Sequence, residues 1–375
     1  MLRFLDAGES HGPALTAIVE GLPAGFAVSE EKIHEELRRR QKGYGRGGRM
    51  AIEEDRVEIL SGLAKGITTG APVTLLLRNR DYENWKNLTE EDTAVQVPRP
   101  GHGDLTGEFK YATGNLRNSI ERSSARETAI RTAVGALCRQ ILEELGMTVR
   151  SKVHSLYGLF DGEADLFDET VYGKIEESPM RVLSREEEFK TLVDSAKREG
   201  DTLGGWIRAS LRGCPRGVGS FMAYDRRLDA QLAFAAMSIQ GIKEVAVGNP
   251  FHRLTGAQYH DGIRMEEGKL KRLSNHAGGI EGGISNGEDI ELWAYMKPIP
   301  SVKIKLPSVN LSTGENTDSR YERSDVTAVV PGSIVLENVL AFEILKAVLL
   351  TFSPDNKKEL EAALNYRNTR QGDFR

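Results

Sequence analysis

Ile130, Val134, Leu137, Ile141 and Leu145 recur at the three- and four-residue spacing of one helix face. The spacing predicts a helix over Ser124–Leu145, with Ser124 and Glu127 placed as a capping box and Gly146 able to terminate it. A stripe this long has to be buried, and the surrounding pattern shows how. Helices are also expected at Ser29–Gln41, with Ser29 as N-cap, at Ser184–Glu199 with its own Ser184/Glu187 box, at Asp225–Met237 and at Val335–Phe352. Strands are expected at Val57–Ser61, Pro72–Leu77, Val149–Leu156, Gly205–Leu211, Ile290–Met296 and Thr327–Val330. Strands and helices do not alternate, which argues against a doubly wound parallel sheet. The order points to an α+β fold in which antiparallel sheets surround central helices.

Composition narrows the function. The 39% hydrophobic residues suffice for a large core over 375 residues, and the net charge of −5 excludes a general nucleic-acid binder. Two cysteines, Cys138 and Cys214, are too few for a disulfide framework and fit a reducing compartment. There is no apolar run of membrane-spanning length and no signal-like segment at Met1–Glu9, so a soluble cytoplasmic protein is expected. No linker or repeat divides residues 1–375, so one domain is expected, with a loose tail over 366–375.

Positive charge is therefore local. Residues Arg99–Arg131 carry five arginines, a histidine and the pair Ser123-Ser124, and end by opening the long helix. Guanidinium forks and a helix N-terminus both suit phosphate and carboxylate groups. A second cluster, Arg38, Arg39, Arg40, Arg46 and Arg49, spans a helix end and a glycine-rich loop. The helix dipole accounts for Arg38 and Arg39 but not for Arg46 and Arg49, which suit a polyanionic small molecule. His11 and His102 are each set among glycine or proline on a turn, where an imidazole can approach a ligand; the other five histidines read as structural. No grouping has metal-ligand spacing, so no metal is expected. Gly8-Glu9-Ser10-His11-Gly12 matches the hydrolase elbow, but too little chain precedes it and Pro13 follows. Gly43–Gly48 matches a dinucleotide fingerprint, but it follows a helix instead of a strand.

AGESHGPALTAIVEGLPAG, RRRQKGYGRGGRMAIEEDRVEILSG, RPGHGDLTGEFKY, ERSSARETAIRTAVGA, NHAGGIEGGISNGEDI, MKPIPS and ERSDVTAV occur in this order from Phe4 to about Val330. Together they resemble the chorismate synthase family. The resemblance implies a β-α-β sandwich with central helices between antiparallel sheets, assembled as a homotetramer. It implies a lyase that removes the 3-phosphate and a C6 hydrogen of 5-enolpyruvylshikimate-3-phosphate by anti-1,4-elimination, giving chorismate, the last step of the shikimate pathway. It also implies a requirement for reduced FMN, without net redox change.

The resemblance implies site residues too. Arg40, Arg46, Arg49, Arg99, Ser124 and Arg126 match substrate positions. Arg122, Ser123, Ser124, Gln240, Gly241, Gly282, Lys297, Pro298, Ile299, Pro300, Ser301 and Arg323 match positions around FMN. His11 would protonate or stabilise the reduced flavin, His102 would assist phosphate departure, and Asp325 would help relay the C6 proton. The family pattern also places NADP at Arg40 and Arg46, where a trianionic substrate makes the stronger demand on guanidinium forks. Three features depart from the family: Gln240-Gly241 replaces Asn-Ala, Gly103 replaces Ala, and KPIPS replaces KPTSS. No segment suggests a built-in flavin reductase, so reduced FMN would come from outside and NADPH would act only indirectly. An FMN-binding oxidoreductase and a non-catalytic polyanion-binding protein are the competing functions, separated from the lyase by phosphate release.

Overall fold

The computed structural model describes residues 1–46, 54–267 and 269–371. Two antiparallel sheets enclose a helical layer, as the α+β expectation and the sandwich implied by the resemblance require. The first sheet runs Arg3–Ala7, Ala14–Glu20, Val73–Arg78, Val57–Ile59, and the second runs Ile242–Val247, Ile290–Met296, Gly205–Arg212, Thr148–Leu156, Leu159–Phe160. Helices Glu30–Gln41 and Thr128–Glu144 pack on the first sheet, and Val329–Phe352 packs on the second and against Thr128–Glu144. Val329–Phe352 is buried on nearly every face because it lies inside this layer. The two central helices meet at Gly135, where a Cβ would stand 2.1 Å from the carbonyl oxygen of Asn338.

Helix Glu30–Gln41 starts at Ser29, whose hydroxyl accepts from the Lys32 N–H, as expected. The long helix differs at its start. Ala125–Glu127 is a 3₁₀ turn and the α-helix spans Thr128–Glu144. The expected capping box does not form, because the Glu127 carboxylate accepts from Gln240 and faces Arg131. Ser184 likewise donates to Asp161 instead of capping Glu186–Glu199. The expected strand Thr327–Val330 is a single bridge from Thr327 to Leu203, and the helix already begins at Val329. Pro331 is tolerated in its first turn, where backbone N–H groups have no intrahelical partner. Residues 366–371, expected in the tail, continue helix Lys357–Gln371. No helix among the described residues is long and apolar enough to cross a membrane.

Successive residues of a helix point about 100° apart, and Arg38, Arg39 and Arg40 use this to reach three environments. Arg38 stays exposed on Glu31. Arg39 enters the core and binds Glu36, Glu176 and the fully buried Glu337, so the dipole account of it is incomplete. Arg139 and Arg181 also converge on Glu337. Arg40 turns toward a cleft between the helical layer and the loops that join the sheets.

Candidate active site

His11 lies on the turn between the first two strands. Asn79 holds that turn by donating its side-chain amide to the carbonyls of Glu9 and Gly12. Glu121, from helix Leu116–Ser123, accepts both the backbone N–H of His11 and its ring Nδ1, at 2.7 and 2.8 Å. Trp85 stacks on the imidazole with a centroid separation of 4.0 Å, and Asp81 lies 3.8 Å from Nε2. Burial alone would raise the Glu121 carboxyl, but the contacts from His11 and the Arg117 charge hold it below its ordinary value.

His102 lies on a tight turn at the start of helix Asp104–Tyr111, where Gly101 takes a positive φ of 79°. Asp104 is completely buried beneath it. Its carboxylate accepts from His102 Nδ1 and from the backbone N–H, Nε and Nη2 of Arg99. Burial favours the neutral acid, yet these donors outweigh it and keep Asp104 well below the ordinary carboxylate range. Arg99 also reaches Glu322, which pairs with Arg117 and Arg320.

The opposite wall is arginine-rich. Arg126 donates to Asp55 at 2.7 Å and to Asn79, and Arg40 reaches Asp55, Thr128 and the carbonyl of Ala125. Burial pushes Arg40 down to about 10, opposed by Asp55 and reinforced by Arg126 and Arg46, so it stays charged at neutral pH. Arg46 pairs with Asp325 at 2.8 Å, and its Nε has no hydrogen-bond partner among the described residues. Lys297 donates to the carbonyl of Gly101, joining the 297–301 segment to the His102 turn. Ser301 accepts from the Glu322 N–H and donates to the Glu322 carbonyl, joining it to the Asp325 segment.

These groups surround a cleft of about 480 Å³. Five arginines and Lys297 line it against two carboxylates, Glu322 and Asp325. On a chain of net charge −5, this concentrates attraction for an anion in one place. Ile120, Ile239, Met296 and Val335 supply an apolar face.

The family model for chorismate synthase matches residues 2–349. The chain belongs to the chorismate synthase family. It is 52% identical to a chorismate synthase of Clostridium tetani, over 98% of both chains. It is 45% identical to one from Limosilactobacillus fermentum, over 99% of this chain and all of that one. A crystal structure of chorismate synthase, 38% identical, superposes with a TM-score of 0.78 over 99% of this chain and 98% of that one.

Most positions assigned from the chorismate synthase pattern meet at this cleft. His11, His102, Asp325, Arg40, Arg46, Arg99, Ser124 and Arg126 line it, as do Ser123, Gln240, Gly241, Lys297, Pro298, Ile299, Pro300, Ser301 and Arg323. Two expected positions do not line it. Arg122 turns to Asp6 at 2.8 Å and to the Gly8 carbonyl. Gly282 forms the hairpin turn between Ile280–Glu281 and Ile284–Ser285, beside Phe221. Arg49 lies outside the described residues. The departure at Gln240 has a structural partner: its amide donates to Glu127, and its carbonyl oxygen is buried with no hydrogen bond. Ser301 spends its hydroxyl on the Glu322 backbone.

Sequence reasoning missed the carboxylates behind the cleft: Asp104, Glu121 and Asp55. It also missed Trp85. Asp104 was visible within RPGHGD, but it reads there as an ordinary acidic residue in the first turn of a helix.

Proposed function

We propose that this protein releases phosphate from 5-enolpyruvylshikimate-3-phosphate by anti-1,4-elimination, giving chorismate. The observation that carries this reading is the cleft itself, where two histidines, each backed by a carboxylate, face a wall of arginines. The substrate brings two carboxylates and a phosphate, and burying unpaired charge is prohibitive. Arg40, Arg46, Arg99 and Arg126 would neutralise these groups, and Arg40 sits too deep beside Asp55 to suit a peripheral NADP. His102 would donate a proton to the departing phosphate through the ring nitrogen not bound by Asp104. Asp325, held by its pair with Arg46, would help relay the C6 proton of the substrate. His11, held by Glu121, would supply or stabilise a proton at the other end of the cleft.

The residues fit reduced FMN. The buried orphan atoms Gln240 Oε1 and Arg46 Nε need partners, and the apolar face suits a planar ring. Ser123, Ser124, Gln240, the 297–301 segment and Arg323 would hold it. When bound, reduced flavin supplies transient electron density to the allylic system. We also read the enzyme as monofunctional, taking FMN reduced elsewhere, and as a cytoplasmic homotetramer. The exposed Leu5 and Ile18 on the outer face of the first sheet support assembly.

Anaerobic incubation with chemically reduced FMN and the enolpyruvyl substrate should release phosphate and chorismate in equal amounts. No phosphate release would refute the reading. NADPH oxidation by the purified protein with free FMN would refute monofunctionality.

A further inference from the structure

Asp104 has four donors on two oxygens. Oδ1 takes His102 Nδ1 at 2.5 Å and Arg99 Nη2 at 3.0 Å. Oδ2 takes the Arg99 backbone N–H and Nε, both at 3.0 Å. A guanidinium and a backbone N–H can only donate, so the carboxylate that serves all three has no proton of its own to give. Arg99 Nη2 also lies 3.0 Å from His102 Nδ1, but the shorter 2.5 Å contact to a carboxylate that can only accept requires the proton on Nδ1, which leaves Nε2 as the nitrogen that exchanges protons with the cleft. The same carboxylate takes the Nε and Nη2 edge of Arg99, so one completely buried group holds both a proton donor and a cleft-lining guanidinium in place.

We propose that Asp104 is the positioning residue of the reaction: it fixes the ring tautomer of His102 and the direction of Arg99 together. The proposal rests on the elimination reading, in which His102 faces the leaving phosphate. It adds that His102 is competent only with Nδ1 protonated. An asparagine at 104 reveals the requirement. Its carbonyl can replace only one oxygen: turned to the Arg99 backbone N–H and Nε it keeps two obligate donors, and the amide N–H₂ then faces both His102 Nδ1 and Arg99 Nη2. That nitrogen must then accept, and the ring shifts to the Nε2–H tautomer.

The test uses full-length protein labelled with ¹⁵N-histidine, with the His102 signal assigned by its loss in His102→Gln. Long-range ¹H–¹⁵N spectra of the wild type should show Nδ1 of His102 protonated, and Asp104→Asn should show it unprotonated. Asp104→Asn should also lower kcat for phosphate release by about a hundredfold, the scale of general acid catalysis, with KM changed only a few-fold. An unprotonated Nδ1 in the wild type overturns the proposal. So does an Asp104→Asn variant that is folded and keeps both tautomer and kcat. If Asp104→Asn fails to fold, the wild-type spectrum alone decides. If the wild type releases no phosphate, the elimination reading falls while the spectrum still judges the positioning role.

Discussion

Glu121 accepts two hydrogen bonds from His11, one from its backbone N–H at 2.7 Å and one from ring Nδ1 at 2.8 Å. One carboxylate thus fixes both the position of a turn and the orientation of its imidazole. Glu121→Ala removes both bonds and leaves a part-buried N–H without its acceptor, a loss of about 1–3 kcal/mol in stability. Turnover should fall at least about tenfold, because a misaligned proton donor loses most of its advantage. Unfolding midpoints and single-turnover rates at saturating reduced FMN check both. A variant with wild-type turnover would detach Glu121 from His11's task.

The three consecutive arginines should separate cleanly. Arg38→Ala should change stability by no more than about 0.5 kcal/mol, since its pair with Glu31 is solvated. Arg39→Ala should cost about 1–3 kcal/mol, because it removes one of three guanidinium partners of the buried Glu337. Arg40→Ala should weaken substrate binding by about tenfold to a hundredfold, the worth of charged hydrogen bonds. Urea unfolding and titration with the enolpyruvyl substrate distinguish the three; equal effects at 38 and 39 would refute the division.

Such divisions mark what the sequence could reveal. The apolar spacing located the central helices, and the motif order collected His11, His102 and the cleft arginines. Their partners were harder to read because they come from distant segments: Glu121 is 110 residues from His11, and Asp55 is 71 from Arg126. Thr327–Val330 is rich in β-branched residues and reads as a strand, yet burial inside the helical layer overrides that preference from Val329 on. The strands Arg3–Ala7 and Ala14–Glu20 escaped notice for the opposite reason. Leu15, Ala17 and Val19 alternate inward, but Leu5 and Ile18 are apolar on the outer face and blur the period.

Close packing at Gly135 predicts a reversal of helix propensity. Alanine normally favours a helix over glycine by about 1 kcal/mol. At Gly135 the new methyl would stand 2.1 Å from the Asn338 carbonyl oxygen, so Gly135→Ala should destabilise by about 1–3 kcal/mol. Gly173, in helix Glu169–Glu177, has nothing near its missing Cβ, and Gly173→Ala should stabilise by up to about 1 kcal/mol. Thermal midpoints that move in the same direction for both would contradict this packing.

His154 makes stability depend on pH in a defined window. Burial against Phe160, Phe251 and Trp293, with Lys152 nearby, lowers it from 6.5 to about 4. Glu163 and Asp161 oppose that shift, and Arg208 adds to it. Between these values the unfolded chain binds a proton at this histidine that the folded chain does not. Stability is therefore complete above pH 6.5 and falls as pH drops toward 4. From pH 7 to 5 the loss from this one group is about 2 kcal/mol. Urea unfolding at pH 7 and pH 5 should show wild type losing more stability than His154→Phe, which has no proton to take up. The same pH loss in both proteins would assign the sensitivity to other groups.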